Sequence, residues 1–295
     1  MTLKYVLPVI ALAASAAVSA EDYQTFVTVG ADHYRVSGES ETNWGVKGQH
    51  YFNKITTLGP LDQFGYILAE TNVTADYSRR FDSNFWSVGG EYFVENGLML
   101  SAKHQSAGDF DATTVGIGYL VSKDLLVKVE AIKPEDGDTD FLLSARYNHQ
   151  LQGNDYIGFT AFADDEFDYY GVTSKYFSSL GDERYLTAEV TVERSDDETL
   201  WALASNYYFS KMTSVGVTYN KADSYSLTAK HFLTQNWAVE ARFASNTDIS
   251  ELKTYSVGVT GQFYVSLVAT LVRLGQPLLP LFYWFKPATH LVVNI

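Results

Sequence analysis

The chain has 295 residues, of which 15% are Phe, Trp or Tyr and only 19% are charged, with a formal charge of −14 and no cysteine. Without cysteine there is no disulfide framework, no thiolate nucleophile and no Cys-ligated metal. The body of the chain holds no apolar run of about 20 residues, which excludes a helical membrane protein; apolar and polar residues interleave at short range instead.

Residues 1–20 read as a secretory leader. Lys4 supplies the positive start, Tyr5 to Ala17 the apolar stretch, and Val18, Ser19 and Ala20 a small-residue site that places cleavage between Ala20 and Glu21. From there to Phe263 the pattern alternates, and strict alternation marks strands whose successive side chains point to opposite faces. Val115, Ile117, Tyr119 and Val121 form one such series, and Leu186, Ala188, Val190 and Val192 another. Trp237, Val239, Ala241 and Phe243 form a third, and Tyr255, Val257, Val259, Gly261 and Phe263 close the region.

Two kinds of connection take turns between the strands. Short ones fall at 94–97, 122–124, 152–155, 210–212 and 234–236; acidic ones fall at 108–111, 134–140, 164–168, 195–198, 222–223 and 246–250. The reading gives 16 strands, beginning near 23, 43, 64, 83, 98, 112, 125, 141, 156, 168, 184, 199, 213, 224, 237 and 251, with 14 or 18 as alternatives. Residues 53–63 make one long connection. An even count brings both ends to one side, so the acidic connections become extracellular and the short ones periplasmic.

A soluble sandwich would also alternate, but aromatics would be sparse in it. Here they gather at strand ends, at Trp44, Tyr51, Phe52, Tyr92, Phe93, Tyr176, Phe177, Tyr207, Tyr208, Phe209 and Trp237, where interfacial girdles of a membrane barrel fall. The predicted fold is all-β, a transmembrane antiparallel up-and-down β-barrel over 21–263. After Phe263 the order stops. Residues 264–295 hold three of the six prolines, no acidic residue and no period of two. The barrel region therefore carries all 35 Asp and Glu against 18 Lys and Arg, a charge of −17.

The last strand, with Tyr255, Val257, Val259 and a terminal Phe263, resembles the C-terminal assembly signal of Gram-negative outer-membrane proteins; Gly261 is the small exception. Together with the leader and the hairpin pattern, residues 1–263 resemble the general bacterial porin-like outer-membrane proteins of marine gammaproteobacteria. The resemblance implies recognition by the barrel-assembly machinery and residence in the outer membrane. It departs from that family in the 32 residues that follow the Phe, here read as an accidental extension of the gene or a membrane-associated segment.

A barrel of this width is too wide for side chains to fill and leaves an aqueous channel. The charged residues that alternation turns toward it are Asp32, Lys47, Glu70, Glu91, Lys103, Lys128, Glu130, Arg146, Lys175, Glu189, Glu193, Lys230, Glu240 and Arg242, seven of each sign. They would either set a transverse field or pair across neighbouring strands and keep the wall wet. The acidic connections would draw cations to the mouth, hold divalent ions against lipopolysaccharide, or simply solubilise the turns; none has full calcium-loop spacing. No acidic connection exceeds about seven residues, so no inward loop is expected, only an open pore or one narrowed by wall side chains. The six histidines are dispersed, without metal or nucleophile spacing, so neither an enzyme nor a cofactor is expected. The function read from these features is passive diffusion of small hydrophilic solutes or ions. The second class is a non-conducting surface protein for adhesion or envelope integrity. The implied partners are membrane lipid, lipopolysaccharide, the assembly machinery and the solutes, with a homo-oligomer left open and no nucleic acid.

Overall fold

The computed structural model describes residues 22–108, 110–195 and 198–264. Residues 1–20, with the Ala20–Glu21 cleavage point, and all but Tyr264 of the 264–295 extension lie outside the described residues. Sixteen strands form one closed antiparallel barrel in which each strand pairs with its neighbours in sequence and β1 pairs with β16. They are β1 Asp22–Val36, β2 Glu39–Thr56, β3 Asn72–Arg80, β4 Ser83–Phe93, β5 Leu98–Ala107, β6 Phe110–Ser122, β7 Leu125–Pro134, β8 Asp140–Gln150, β9 Tyr156–Asp164, β10 Tyr169–Gly181, β11 Arg184–Ser195, β12 Glu198–Ser210, β13 Thr213–Asn220, β14 Ser224–Thr234, β15 Trp237–Asn246 and β16 Lys253–Phe263.

Closure removes the sheet edges, which is what lets a sheet stand in hydrocarbon where no water can satisfy a free N–H or C=O. The seam runs in register from Thr25 opposite Phe263 to Arg35 opposite Lys253, and Thr28 and Thr260 share a hydroxyl hydrogen bond of 3.1 Å across it. The faces are inverted relative to a soluble barrel. Val115, Ile117, Tyr119 and Val257 are exposed, the last at 64%, forming the apolar outside that lipid covers. No helix among the described residues is long and apolar enough to cross a membrane.

Several hairpins turn on two residues. Ser37 and Gly38, Phe81 and Asp82, and Asp182 and Glu183 all have positive φ at both positions, the type I′ geometry whose twist matches paired strands. The strand ends that flank the acidic connections after β5, β7, β9, β11, β13 and β15 lie at the end opposite the strand termini Asp22 and Phe263, as the two-phase pattern anticipates.

Two elements differ from the sequence expectation. The second strand starts at Glu39 rather than near 43, and the third starts at Asn72 rather than near 64. Residues 57–71 are not wall. Phe64, Tyr66 and Leu68 alternate as strand residues do, but this stretch leaves the terminal end of the barrel and folds into its lumen. The expectation of a pore with no inward segment is thereby corrected.

The aromatic girdles are also corrected in part. Phe52, Tyr92 and Phe209 are exposed on the outside, whereas Tyr51 beside Phe52, Tyr208 beside Phe209, and Phe177 beside Tyr176 are buried, as a residue of opposite phase must be when it points into the barrel. Tyr156, Phe177, Tyr185 and Tyr208 form a buried cluster with Leu58 and Tyr66 of the inward segment packed on it. Leu61 of the same segment packs with Phe232 and Ala238. The apolar core of this barrel is the contact between its wall and that segment.

Candidate functional site: a lumen narrowed from one side

The inward segment begins with a reversal. Leu58 N–H donates to the Gln63 carbonyl at 2.8 Å, Gln63 N–H donates to the Pro60 carbonyl at 3.1 Å, and Thr57 bridges Phe64. Gly59, at φ 142, makes the turn where only glycine is at ease, and a Cβ there would stand 2.5 Å from the Tyr185 ring. The segment is then fastened to the wall over many strands. Asp62 pairs with Lys230 of β14 at 2.9 Å. Gln63 donates to the Tyr208 hydroxyl of β12 at 2.7 Å and accepts from Lys175 of β10 at 3.1 Å. Gln262 of β16 donates to the Leu61 carbonyl at 3.0 Å, and Asn154 donates to that of Leu58 at 3.1 Å.

Further along, the Phe64 ring meets Phe26 of β1 edge-on at 5.6 Å. The Tyr66 hydroxyl shares a 2.7 Å hydrogen bond with Thr160 of β9. Its ring lies against Gly158, where a Cβ would overlap it. Burial pushes the Tyr66 phenol up; the Thr160 hydrogen bond and then the Arg146 charge work against that shift. The segment therefore fills the lumen on the β9–β16 side.

The β2–β8 side stays open. A cavity of about 400 Å³ lies there, bounded by Tyr66 and Leu68 of the segment and by wall residues including Gln49, Tyr51, Glu91, Lys103, Glu130 and Arg146. Its wall is thinned by glycine. Gly89 lies beneath Lys103, Gly118 beside Lys128, and Gly116 beside Ser101 and Glu130, so these longer side chains lie across space that a Cβ would occupy. Lys128 Nζ stands 3.0 Å from Glu130 and 3.9 Å from Glu91. A second space, about 260 Å³, lies toward the other end between Asp32, Asn43, Arg80, Glu240 and Arg242.

The structure divides the fourteen expected lumen residues into groups. Glu91, Lys103, Lys128, Glu130 and Arg146 share the larger cavity. Asp32, Glu240 and Arg242 share the second. Lys175 and Lys230 are occupied by the inward segment. Lys47 stands opposite Thr28 and Asp76, Glu189 opposite Lys175, and Glu193 opposite Gly171 with the Tyr169 hydroxyl at 3.4 Å. Glu70 does not stand on a wall strand. It sits on the 57–71 connection, where its carboxylate accepts from Asn53 at 2.7 Å.

Sequence reasoning missed Asp62, Gln63 and Tyr66, and the lumen positions Tyr51, Asp76 and Arg80. One signal pointed to the first three: Gly59 and Pro60 sit within a connection several times longer than any other at that end.

At the last strand, Tyr255, Val257 and Val259 lie on the outer face. The Phe263 ring is 2% exposed and meets Trp237 edge-on at 5.3 Å. Gly261 is small because that ring folds over it; a Cβ there would stand 2.7 Å from Phe263 and 3.0 Å from Trp237.

A closed barrel with an apolar outside and a charged, partly filled interior defines a channel-forming outer-membrane protein. The chain matches the model of the family described as "Putative general bacterial porin" over residues 3–263, and it belongs to that family. It is an outer-membrane porin, a barrel through which small solutes diffuse passively. The fold is similar to that of the outer membrane protein Omp33 of Acinetobacter baumannii at 15% identity, covering 83% of this chain and 100% of that one with a TM-score of 0.56. It is similar too to a triple mutant of the Rhodopseudomonas blastica porin, at 11% identity over 81% of this chain and 99% of that one, TM-score 0.51. No curated protein matches the chain.

Proposed function

We propose that solutes cross this barrel along one side only, through the slot between the 57–71 segment and the wall from β2 to β8. One observation carries the reading: the segment is fastened to β9–β16 by an ion pair, side-chain hydrogen bonds and an aromatic cluster, while a polar cavity of about 400 Å³ stays open opposite. Glu91, Lys103, Lys128, Glu130 and Arg146 then line the narrowed part. Asp32, Glu240 and Arg242 line the entrance above it. Lys47, Glu189 and Glu193 keep the remaining wall wet. A path of this size admits small hydrophilic solutes and ions, not oligomers.

A catalytic role is not proposed. His33, His50, His104 and His231 each share a hydrogen bond between Nδ1 and a threonine hydroxyl on the neighbouring strand, at 2.8 to 3.1 Å, on the outer face. In each case one ring nitrogen is taken up by a cross-strand structural hydrogen bond.

The proposal further takes the terminal end of the barrel as periplasmic and 1–20 as a leader removed before Glu21. The β16 residues Tyr255, Val257, Val259 and Phe263 serve as the signal read by the barrel-assembly machinery, and lipid and lipopolysaccharide surround the barrel. The family match ending at residue 263 supports treating 264–295 as an addition to the barrel. Reconstitution of the purified protein in a planar bilayer tests the central claim. Discrete conductance steps are the expected result. Their absence from correctly folded protein would return the chain to the class of non-conducting surface proteins.

A further inference from the structure

The charges of the larger cavity are not evenly spent. It holds three cations, Lys103, Lys128 and Arg146, and two carboxylates, Glu91 and Glu130. Both carboxylates face the same ammonium, since Lys128 Nζ lies 3.0 Å from Glu130 and 3.9 Å from Glu91. Lys103 and Arg146 have no ion pair among the described residues. Each of the other lumen lysines set against the inward segment has its partner, Lys230 in Asp62 and Lys175 in Gln63. Lys103 and Arg146 thus lie unpaired beside the inward segment where the lumen stays open, as Lys47, Arg80 and Arg242 do elsewhere along the wall.

A neutral donor in the same wall is also unspent. Gln49 Nε2 donates to the Tyr51 oxygen at 2.8 Å, which leaves the phenolic hydrogen of Tyr51 to be given elsewhere. Three cations against two carboxylates leave this wall with an excess positive charge, and with the Tyr51 O–H they make a place for an acceptor-rich negative group.

We propose that this part of the lumen is an anion subsite, formed by Lys103 and Arg146 with Tyr51, that favours small carboxylates and inorganic anions over cations. The inference rests on the slot being the conducting path. It runs against the charge of the molecule, whose barrel region is strongly acidic. Exposed charge is screened beyond about 8 Å at physiological ionic strength, so the residues that touch the ion decide its passage, and the acidic connections at the far end do not. An ion passing the slot cannot keep that distance from Lys103 and Arg146.

The test is the reversal potential of the full-length protein in a planar bilayer across a KCl gradient centred near physiological ionic strength, where the acidic connections are screened. The wild type is expected to pass chloride in preference to potassium. Citrate is expected to reduce the chloride current. Lys103→Gln with Arg146→Gln is expected to abolish the preference severalfold or reverse it, and to remove the citrate effect while conductance persists. Conducting protein that prefers potassium, or a preference untouched by the double variant, overturns the anion subsite and leaves the porin reading standing. No conductance at all brings down both. Should the double variant fail to assemble, Lys103→Gln alone and citrate on the wild type decide the matter, because a chloride current indifferent to citrate is equally fatal.

Discussion

Gly158 shows how one residue positions the inward segment. It faces the lumen on β9, and the Tyr66 ring occupies the space its side chain would take. Valine is a better strand former than glycine, so Gly158→Val leaves the wall intact while displacing the ring and the 2.7 Å bond from Tyr66 to Thr160. The expected outcome is a normally assembled barrel with larger and noisier single-channel currents. Unchanged currents would mean that Tyr66 does not bound the path. Gly261 works in the same way on the outside, leaving room for Phe263 against Trp237. Gly261→Val forces that ring off β16. Since truncating a buried Phe typically costs about 3–5 kcal/mol, a sizeable part of that loss is expected here, read as a lower denaturant midpoint and a smaller folded fraction on heat-modifiability gels.

Among the elements, the wall and the segment differ in how far the sequence reveals them. The strands beginning at Ser83, Leu98, Leu125, Tyr156, Arg184, Thr213, Ser224 and Trp237 start where alternation and turn chemistry place them, because lipid on one side and water on the other impose a period of two on every wall strand. The same period misleads at Phe64, Tyr66 and Leu68. The chain bends at Tyr66 and Ile67, and Phe64 meets Phe26 of β1 while Tyr66 bonds Thr160 of β9, so the apparent period comes from separate wall contacts and not from pairing as a strand. Lys175 and Lys230 were legible as lumen residues, but not as anchors, since their partners Gln63 and Asp62 are distant in sequence. The segment can be removed without opening the sheet, because its ladder with the wall is confined to side chains and a few loop bonds. Replacing 58–69 by a short Gly-containing turn is expected to leave the β2–β3 pairing from Trp44 opposite Arg79 to Tyr51 opposite Asn72 in place, and to raise single-channel conductance roughly twofold or more, as a barrel of this width is open when unfilled. A deletion variant that folds and conducts no better would show that the narrowing lies elsewhere.

For the molecule as a whole, the distribution of charge and order separates the barrel from its C-terminal extension. All 35 acidic residues lie between Glu21 and Phe263, and the last strand closes on β1 with Phe263 opposite Thr25. Every strand from β1 to β16 has both neighbours without any residue beyond Phe263. Among the described residues the strand pairing closes without 264–295, and on the proposed assembly signal a chain that continues past Phe263 no longer ends in that Phe. Truncation after Phe263 is therefore expected to preserve insertion or improve it. The measurement is the folded, heat-modifiable fraction in outer-membrane preparations at matched expression. A truncated chain that accumulates unfolded while the full-length chain inserts would assign the extension a part in assembly, and would make Phe263 an internal residue of the working protein.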